Sequence, residues 1–272
     1  MTQIDRAGGV WFFSPLPIVG QWSGGAELLF RVSAQTGERI IGGSECWPHS
    51  QPWQVFIFDN RLTRCGGALI HEQWVVTAGH CLGRNLAIHL GEHDLRKQDD
   101  GEQNTKAVQL IRHPEFEPTS LKNDIMLLQL DPPAILGDTA KTIPLTKDCA
   151  PTGTKCVVSG WGATTFPTVN YAYVLQCLDS TILSKDICKS TYGTYFSDHQ
   201  ICAGLMEEGK DSCQGDSGSP LVCNGTLHGL VSWGAEKCAS KKSPAIYTEI
   251  CKFRKWIDDT MAANNKNSTS KG

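Results

Sequence analysis

From Ile40 onward the hydrophobic positions fall in short runs of β type separated by turn residues. The runs are Trp53–Phe58, Ala68–Ile70, Trp74–Val76, Ala87–Leu90, Val108–Ile111, Asp124–Leu130, Lys155–Ser159, Val174–Leu183, Leu221–Cys223, Leu227–Trp233 and Ala245–Ile250. Strands this short and this closely spaced predict an all-β sandwich or barrel. One segment follows a different period. Phe253, Trp256, Ile257 and Met261 recur at helical spacing, with Lys252, Lys255 and Asp259 elsewhere on the surface. This predicts a C-terminal α-helix ended by Asn264-Asn265 and a flexible tail over 264–272. Residues 1–39 are rich in Gly, Ser and Gln and show no clear period.

The chain has 272 residues, which at about 150 residues per domain leaves one or two domains open, since single all-β domains reach about 250. With 40% hydrophobic and 19% charged residues and a net charge of −3, it has the composition of a folded chain rather than a disordered one. The same balance excludes the basic excess of a nucleic-acid binder. No run approaches the roughly 18 apolar residues of a membrane span.

The 12 cysteines change the picture. Their number is even, none precedes Cys46, and no two are spaced C-x-x-C, so zinc-ribbon and redox readings fail. Spread singly, they predict a disulfide framework made in an oxidising compartment, hence a secreted protein. The N-terminus does not match a secretory leader. It offers Val10-Trp11-Phe12-Phe13 followed by Pro15 and Pro17, with Asp5 upstream, where a basic segment and about 7–15 apolar residues are expected. Either the natural start lies elsewhere or export proceeds from an atypical leader.

Three segments carry candidate chemistry. His89-Leu90-Gly91-Glu92-His93 fits the H-x-x-E-H pattern of a zinc peptidase, but that pattern needs a helix, and Gly91 in a β-like context reads as a loop. Gly215-Asp216-Ser217-Gly218-Ser219 places a serine between glycines on a tight turn, as an exposed nucleophile with backbone N–H groups aimed at an oxyanion requires. The α/β-hydrolase elbow is not matched, because position 219 is serine. Thr77-Ala78-Gly79-His80-Cys81 and Asn123-Asp124-Ile125 offer the base and the orienting carboxylate that a serine hydroxyl needs. Together they give the chain order His, Asp, Ser, which differs from the subtilisin and hydrolase orders.

These motifs resemble those of the trypsin-like serine endopeptidases of the chymotrypsin family, close to trypsins and tissue kallikreins. The resemblance runs from Ile40 to about Ala263. It is carried by Ile40-Ile41-Gly42-Gly43, Ser50-Gln51-Pro52-Trp53, Ala78-Gly79-His80-Cys81, Asn123-Asp124-Ile125-Met126-Leu127, Ser159-Gly160-Trp161-Gly162, Asp211-Ser212-Cys213-Gln214-Gly215-Asp216-Ser217-Gly218 and Val231-Ser232-Trp233-Gly234. It implies two six-stranded antiparallel β-barrels, a C-terminal helix and a cleft between the barrels. Residues 1–39 would be a pro-segment, 40–263 the peptidase domain.

The family's triad logic assigns Ser217 as nucleophile, His80 as general base and acid, and Asp124 as the residue that fixes the His80 tautomer. Gly215 and Ser217 would supply the oxyanion-hole N–H groups. Asp211 would lie at the floor of the specificity pocket and pair with a substrate Arg or Lys, while Ser232, Trp233, Gly234 and Ala245 line the site. Leu121 would present an apolar wall to the preceding substrate residue. Cleavage at Arg39-Ile40 would free the Ile40 amine to pair with Asp216, so the chain as written is a zymogen awaiting a trypsin-like activator. The implied disulfides are Cys46–Cys177, Cys65–Cys81, Cys149–Cys251, Cys156–Cys223, Cys188–Cys202 and Cys213–Cys238. No cofactor is implied for catalysis. A structural calcium would be held by Glu92 and Glu102 with the carbonyls of Asp94 and Lys97. The expected partners are protein or peptide substrates and proteinaceous protease inhibitors, the chain itself being a monomer. Asn224-Gly225-Thr226 and Asn267-Ser268-Thr269 are glycosylation acceptors in a secreted chain.

The sequence departs from the family pattern at four places. Ala245 stands where a pocket glycine is usual, Ser219 replaces the second glycine after the nucleophile, Gly79 replaces an alanine, and Ala235-Glu236-Lys237 is longer than in trypsin. The Ala245 methyl should narrow the slot and Gly79 should loosen the backbone beside His80. A pseudoprotease that uses this fold only for binding is the alternative, against which the intact His80, Asp124, Ser217, Asp211 and Asp216 argue. A protease restricted to one protein substrate is the narrower alternative.

Overall fold

The structure, a computed structural model, describes residues 43–268 apart from 60–63, 165–169, 205–211, 213–214 and 236–242. The strands are β1 (Ser44–Glu45), β2 (Gln54–Phe58), β3 (Arg64–His71), β4 (Trp74–Thr77), β5 (Ala87–Leu90), β6 (Gln103–Arg112), β7 (Met126–Asp131), β8 (Lys155–Gly160), β9 (Gln176–Thr181), β10 (Gln200–Ala203), β11 (Pro220–Cys223), β12 (Thr226–Trp233) and β13 (Ala245–Glu249). Helix α1 (Lys185–Tyr192) precedes β10, and α2 (Ile250–Ser268) closes the chain.

Strands β2 to β7 form a closed antiparallel barrel in the order β2-β3-β4-β7-β6-β5. Side-chain alternation sorts each strand between two interiors. In β2, Val55 and Ile57 enter the barrel core, while Phe56 faces outward onto Trp161, ring centroids 5.6 Å apart and edge-on. In β4, Val75 points inward and Trp74 and Val76 outward, into a seam shared with Leu227, Leu230, Ile250, Phe253 and Ile257. Strands buried on both faces explain why these runs read as continuous apolar stretches.

The second half differs in detail from the expected six-stranded barrel. It is a seven-stranded sheet in the order β1-β9-β8-β11-β12-β13-β10. The two-residue β1 adds to β9 across from Cys177. The other six strands roll up and close through one antiparallel bridge, Ile182 to Ala203, flanked by Leu183 N–H to Cys202 O (3.0 Å) and Gly204 N–H to Thr181 O (3.1 Å). Its core holds Val158, Leu178, Ile201, Leu221, Val231 and Tyr247.

Two features correct the sequence reading. Helix α1 lies outside the sequence expectation, because Cys188 is its only buried residue and, of the helix's other residues, only Tyr192 joins it in the apolar cluster. Its signals are local: Ser184 caps the N-terminus by accepting from Ile187 N–H, Asp186 sits in the first turn, and Gly193 follows the last residue at φ 58°. Helix α2 does not end at Asn264-Asn265. Asn264 Nδ2 donates to Thr260 O at 2.8 Å and its Oδ1 accepts from Gln109 of β6 at 3.1 Å, so the amide supports the last turns instead of stopping them. The helix buries Ile250, Phe253 and Ile257, with Trp256 and Met261 partly covered at the same seam.

Five disulfides join Cys46–Cys177, Cys65–Cys81, Cys149–Cys251, Cys156–Cys223 and Cys188–Cys202. They are pairs that the resemblance implies. The sixth implied pair, Cys213–Cys238, lies outside the described residues. No helix among those residues is long and apolar enough to cross a membrane.

Candidate active site

Asp124 sits just before β7, in a loop where Leu121 and Asn123 both take positive φ (51° and 53°). It is 1% exposed, and a buried carboxylate needs donors. Three meet it. His80 backbone N–H donates to Oδ1 (2.9 Å), His80 Nδ1 to Oδ2 (2.8 Å), and Ser232 Oγ to Oδ2 (2.5 Å). Thr248 Oγ1 donates to its carbonyl at 2.7 Å. With the carboxylate accepting from Nδ1, the imidazole carries its proton there and leaves Nε2 as the basic nitrogen. His80 itself lies in a 3-10 turn, Gly79–Cys81, pinned to β3 by the Cys65–Cys81 bridge.

The serine loop is fixed through its backbone. Gly215 and Gly218, at φ 90° and 78°, bracket Asp216-Ser217 in conformations that a side chain would strain. Ser219 N–H closes the turn on Asp216 O (2.8 Å), Gly218 N–H reaches Val231 O (2.7 Å), and Gly66 N–H of β3 holds Ser217 O (2.8 Å). Ser217 is half-buried at the seam of the two halves. The Asp216 carboxylate is fully buried and accepts from Gly162 N–H at 2.8 Å. A Cβ on Gly160 or Gly162 would fall on that carboxylate. These two glycines form the slot that admits it, which is the structural content of Ser159-Gly160-Trp161-Gly162.

The departures take definite places. Ser219 is buried behind the nucleophile, its hydroxyl 3.5 Å from Gln54 Nε2, with Gln54 Oε1 accepting from Ser159 Oγ at 2.7 Å. Gly79 does not take a positive φ, and the space of the missing methyl is closed by Phe116, Arg112 and Ile125 N, 3.2–3.3 Å from where a Cβ would be. Ala245 is buried at the start of β13, opposite Ala203, and its Cα lies 3.9 Å from a Cβ built on Gly234. Asp211, Arg39, Ile40 and the pro-segment lie outside the described residues.

A methyl on Gly66 would land on Ser219 Oγ and come within 2.9 Å of its Cβ and 3.0 Å of its Cα. Overpacking of this kind costs about 1–3 kcal/mol or more. Gly66→Ala should therefore lower Tm and displace the serine loop, cutting any hydrolytic rate at least tenfold. Adding Ser219→Gly removes the hydroxymethyl group from the clash but leaves the methyl against the backbone of position 219, so Tm should recover in part. Thermal melts and initial rates on the two variants check both statements.

Two residues do more here than the sequence signals. Ser232, expected only to line the substrate strand, turns its hydroxyl onto Asp124 because the β12–β13 register shifts between Val231 and Trp233, a bulge that re-aims one side chain. Thr248 carries no motif at all. Both partners lie more than 100 residues from Asp124 in sequence, so no local pattern could reveal them.

In the acidic loop, His89 Nδ1 pairs with Glu92 Oε1 at 3.2 Å, whereas His93 Nε2 faces Glu45 Oε1 at 3.1 Å. The two histidines of the H-x-x-E-H match therefore serve different partners. Burial, then the neighbouring Glu92 and Asp99 charges, push the Glu102 carboxyl above its ordinary value, partly offset by Asp99 N–H. Asp94 is turned away into a forked pair with Arg96 (both contacts 2.8 Å), joined by Lys97 Nζ at 3.3 Å. The Arg96 hydrogen bonds hold its carboxyl well below the usual range. The Asp94 carbonyl accepts from Lys97 N–H at 2.9 Å.

The family profile described as Trypsin matches residues 40–257. Trypsin-4 of Rattus norvegicus is 44% identical over 227 residues, covering 84% of this chain and 92% of its own. Kallikrein-14 of Homo sapiens is 44% identical over 231 residues, covering 84% and 86%. Among solved structures, neuropsin, a serine protease expressed in the limbic system of mouse brain, superposes with a TM-score of 0.76 at 42% identity, covering 80% of this chain and 98% of its own.

Proposed function

The chain belongs to the trypsin family of serine endopeptidases, and from that premise we propose that it hydrolyses peptide bonds after Arg or Lys through Ser217, His80 and Asp124. The observation that carries the proposal is the Asp124 carboxylate, which accepts from the His80 backbone N–H and from ring Nδ1, so that Nε2 is the ring nitrogen left to act as base. In this reading His80 takes the Ser217 proton as the hydroxyl attacks the scissile carbonyl. Asp124 stabilises the imidazolium, which then protonates the leaving amine. The N–H groups of Gly215 and Ser217 receive the oxyanion, and the positive φ of Gly215 is what lets a backbone N–H turn toward it. One such donor is worth about 10²–10³ in rate. Members of this family need no cofactor for catalysis, and proteins or peptides are the substrates.

Asp211 supplies the charge for a cationic side chain, and Ala245 narrows its approach. Activation follows cleavage at Arg39-Ile40 by a trypsin-like protease, the new amine pairing with Asp216. The cysteine framework fits a secreted monomer that meets protein inhibitors outside the cell. The test is a peptide panel varied only at the residue before the scissile bond, after brief trypsin treatment and trypsin removal. Cleavage after Arg and Lys alone is expected, and cleavage after aromatic or small residues instead would overturn the Asp211 assignment.

The acidic loop fits a calcium ion in one respect. Burial, reinforced by the neighbouring Glu92 carboxylate, raises Glu102's proton affinity, and two carboxylates that face each other are the hard oxygen donors a calcium ion takes. In the reading favoured here their carboxylates are the principal ligands. Without calcium, Glu102 holds its proton more tightly folded than unfolded, so stability falls as pH rises from 4.5 through the raised folded value. With calcium the sign reverses, because the ion needs both carboxylates charged. We expect calcium at about 100-fold over its Kd to stabilise by about 2.7 kcal/mol, a gain that grows with pH and disappears in Glu102→Gln. Thermal melts in calcium and in chelator across pH 4–8 check it, and equal Tm values in both would remove calcium from the account.

A further inference from the structure

Arg64 opens β3, and strand alternation puts its neighbour Cys65 into the barrel core while Arg64 and Gly66 share the outer face. Gly66 on that face holds Ser217 O at 2.8 Å, so Arg64 stands about 7 Å along the strand from the point where the nucleophile is anchored. Its guanidinium stacks over Tyr171, 4.7 Å from the ring centroid, and over Phe56, at 5.1 Å. Tyr171 in turn covers the oxyanion loop, since a Cβ on Gly215 would lie 2.9 Å from its Cε1.

The charge of Arg64 has no carboxylate partner within ion-pair distance among the described residues. Nη2 donates to Ala172 O at 3.1 Å, while Nε is buried with no acceptor. Asp216, whose charge reaches it weakly, directs Oδ1 to Gly162. Burial lowers the guanidinium pKa, yet arginine stays charged at any working pH. A half-buried guanidinium with no ion-pair partner among the described residues favours a bound anion.

Direction along the cleft follows from topology. The proposed substrate-pairing residues Ser232, Trp233 and Gly234 end β12, which meets the serine loop through Val231. β3 meets it from the first barrel, on the other flank. With the acyl side of the substrate paired to β12 as proposed, the leaving chain runs out on the β3 side, where Arg64 and Tyr171 stand.

We propose that Arg64 reads the leaving-group side of the substrate, favouring an Asp or Glu within the first three residues after the scissile bond, centred on the second. The inference rests on the proposed hydrolysis after Arg or Lys. It is tested with internally quenched peptides that share one Arg before the bond and carry Asp, Ala or Lys at each of the next three positions. The readout is the Asp-to-Lys ratio of kcat/KM within each enzyme, so a change in overall activity cancels. Activated wild type should show a ratio of about tenfold or more at one of these positions, shrinking as salt is raised. Arg64→Gln should bring it near one, Arg64→Glu should invert it, and Arg64→Lys should keep part of it. A wild-type ratio below about twofold at all three positions, or a ratio that Arg64→Gln leaves unchanged, overturns the inference while hydrolysis after Arg stands. Failure of wild type to cut any of these peptides refutes the proposed function instead.

Discussion

Replacing Ser217 with alanine is expected to abolish hydrolysis, lowering kcat by about 10⁶, the scale known for serine-triad enzymes rather than one derived from this geometry. The fold should not notice. Among the described residues the hydrogen bonds that fix this turn are made by its backbone: Ser217 O accepts from Gly66 N–H, Gly218 N–H donates to Val231 O, and Ser219 N–H closes on Asp216 O. A half-buried hydroxyl lost from such a site leaves Tm within about 2 °C. Purified, trypsin-activated Ser217→Ala, assayed beside wild type and melted in parallel, should separate chemistry from folding. Residual activity above about 1% of wild type would mean that another group attacks the carbonyl.

Asp124→Asn should be the second largest loss, about 10⁴ in kcat, again the family's own magnitude. The reason lies in three donors that converge on one carboxylate. An amide has one accepting oxygen and one donating nitrogen. If the oxygen stays on the side of His80 Nδ1 and Ser232 Oγ, the NH₂ opposes the His80 backbone N–H. If the amide flips, NH₂ faces the ring and forces the proton to Nε2, so the base is gone. Either way a buried polar group loses its partner, costing about 1–3 kcal/mol of stability. The loss should appear in kcat with KM nearly unchanged, because substrate binding does not use this side chain. Ser232→Ala removes one donor of the three and should cost far less, about tenfold. Steady-state kinetics on both variants would check the ranking, and an Asp124→Asn enzyme within tenfold of wild type would contradict it.

How much of this was legible before the structure depends on how far apart the interacting residues lie. Short-range patterns were readable. Val55 and Ile57 against Phe56, or Val75 against Trp74 and Val76, gave strands because burial on both faces leaves an unbroken apolar run. Phe253, Trp256, Ile257 and Met261 marked α2 because one face meets the seam. Where burial is sparse the pattern fails: α1 rests on a cap and a terminal glycine, and β1 is two exposed residues. Bulges defeat it as well. Val108 lies in β6 on its exposed face, 52% exposed, and the register shift between Ala107 and Gln109 then breaks the alternation so that Gln109 is exposed as well.

The candidate site was legible only as an ordered set of motifs matched to a family. Nothing local in Thr77–Cys81 says that an aspartate 44 positions later will accept from both the ring and the backbone of His80. The slot that Gly160 and Gly162 make for Asp216 arises from packing within the second half, and the turn of Ser232 onto Asp124 from packing the two halves against each other. Composition and periodicity carry no trace of that.

The central claim is that Ser217 becomes a nucleophile once the chain is cut before Ile40. Titration of the trypsin-activated protein with diisopropyl fluorophosphate tests it most directly, with the N-terminus sequenced and the labelled peptide mapped. The account predicts one label per activated chain, on Ser217 and not on Ser219, with hydrolysis after Arg lost in proportion. A clean Ile40 N-terminus with no label on Ser217 would contradict it and favour a binding role for the same fold.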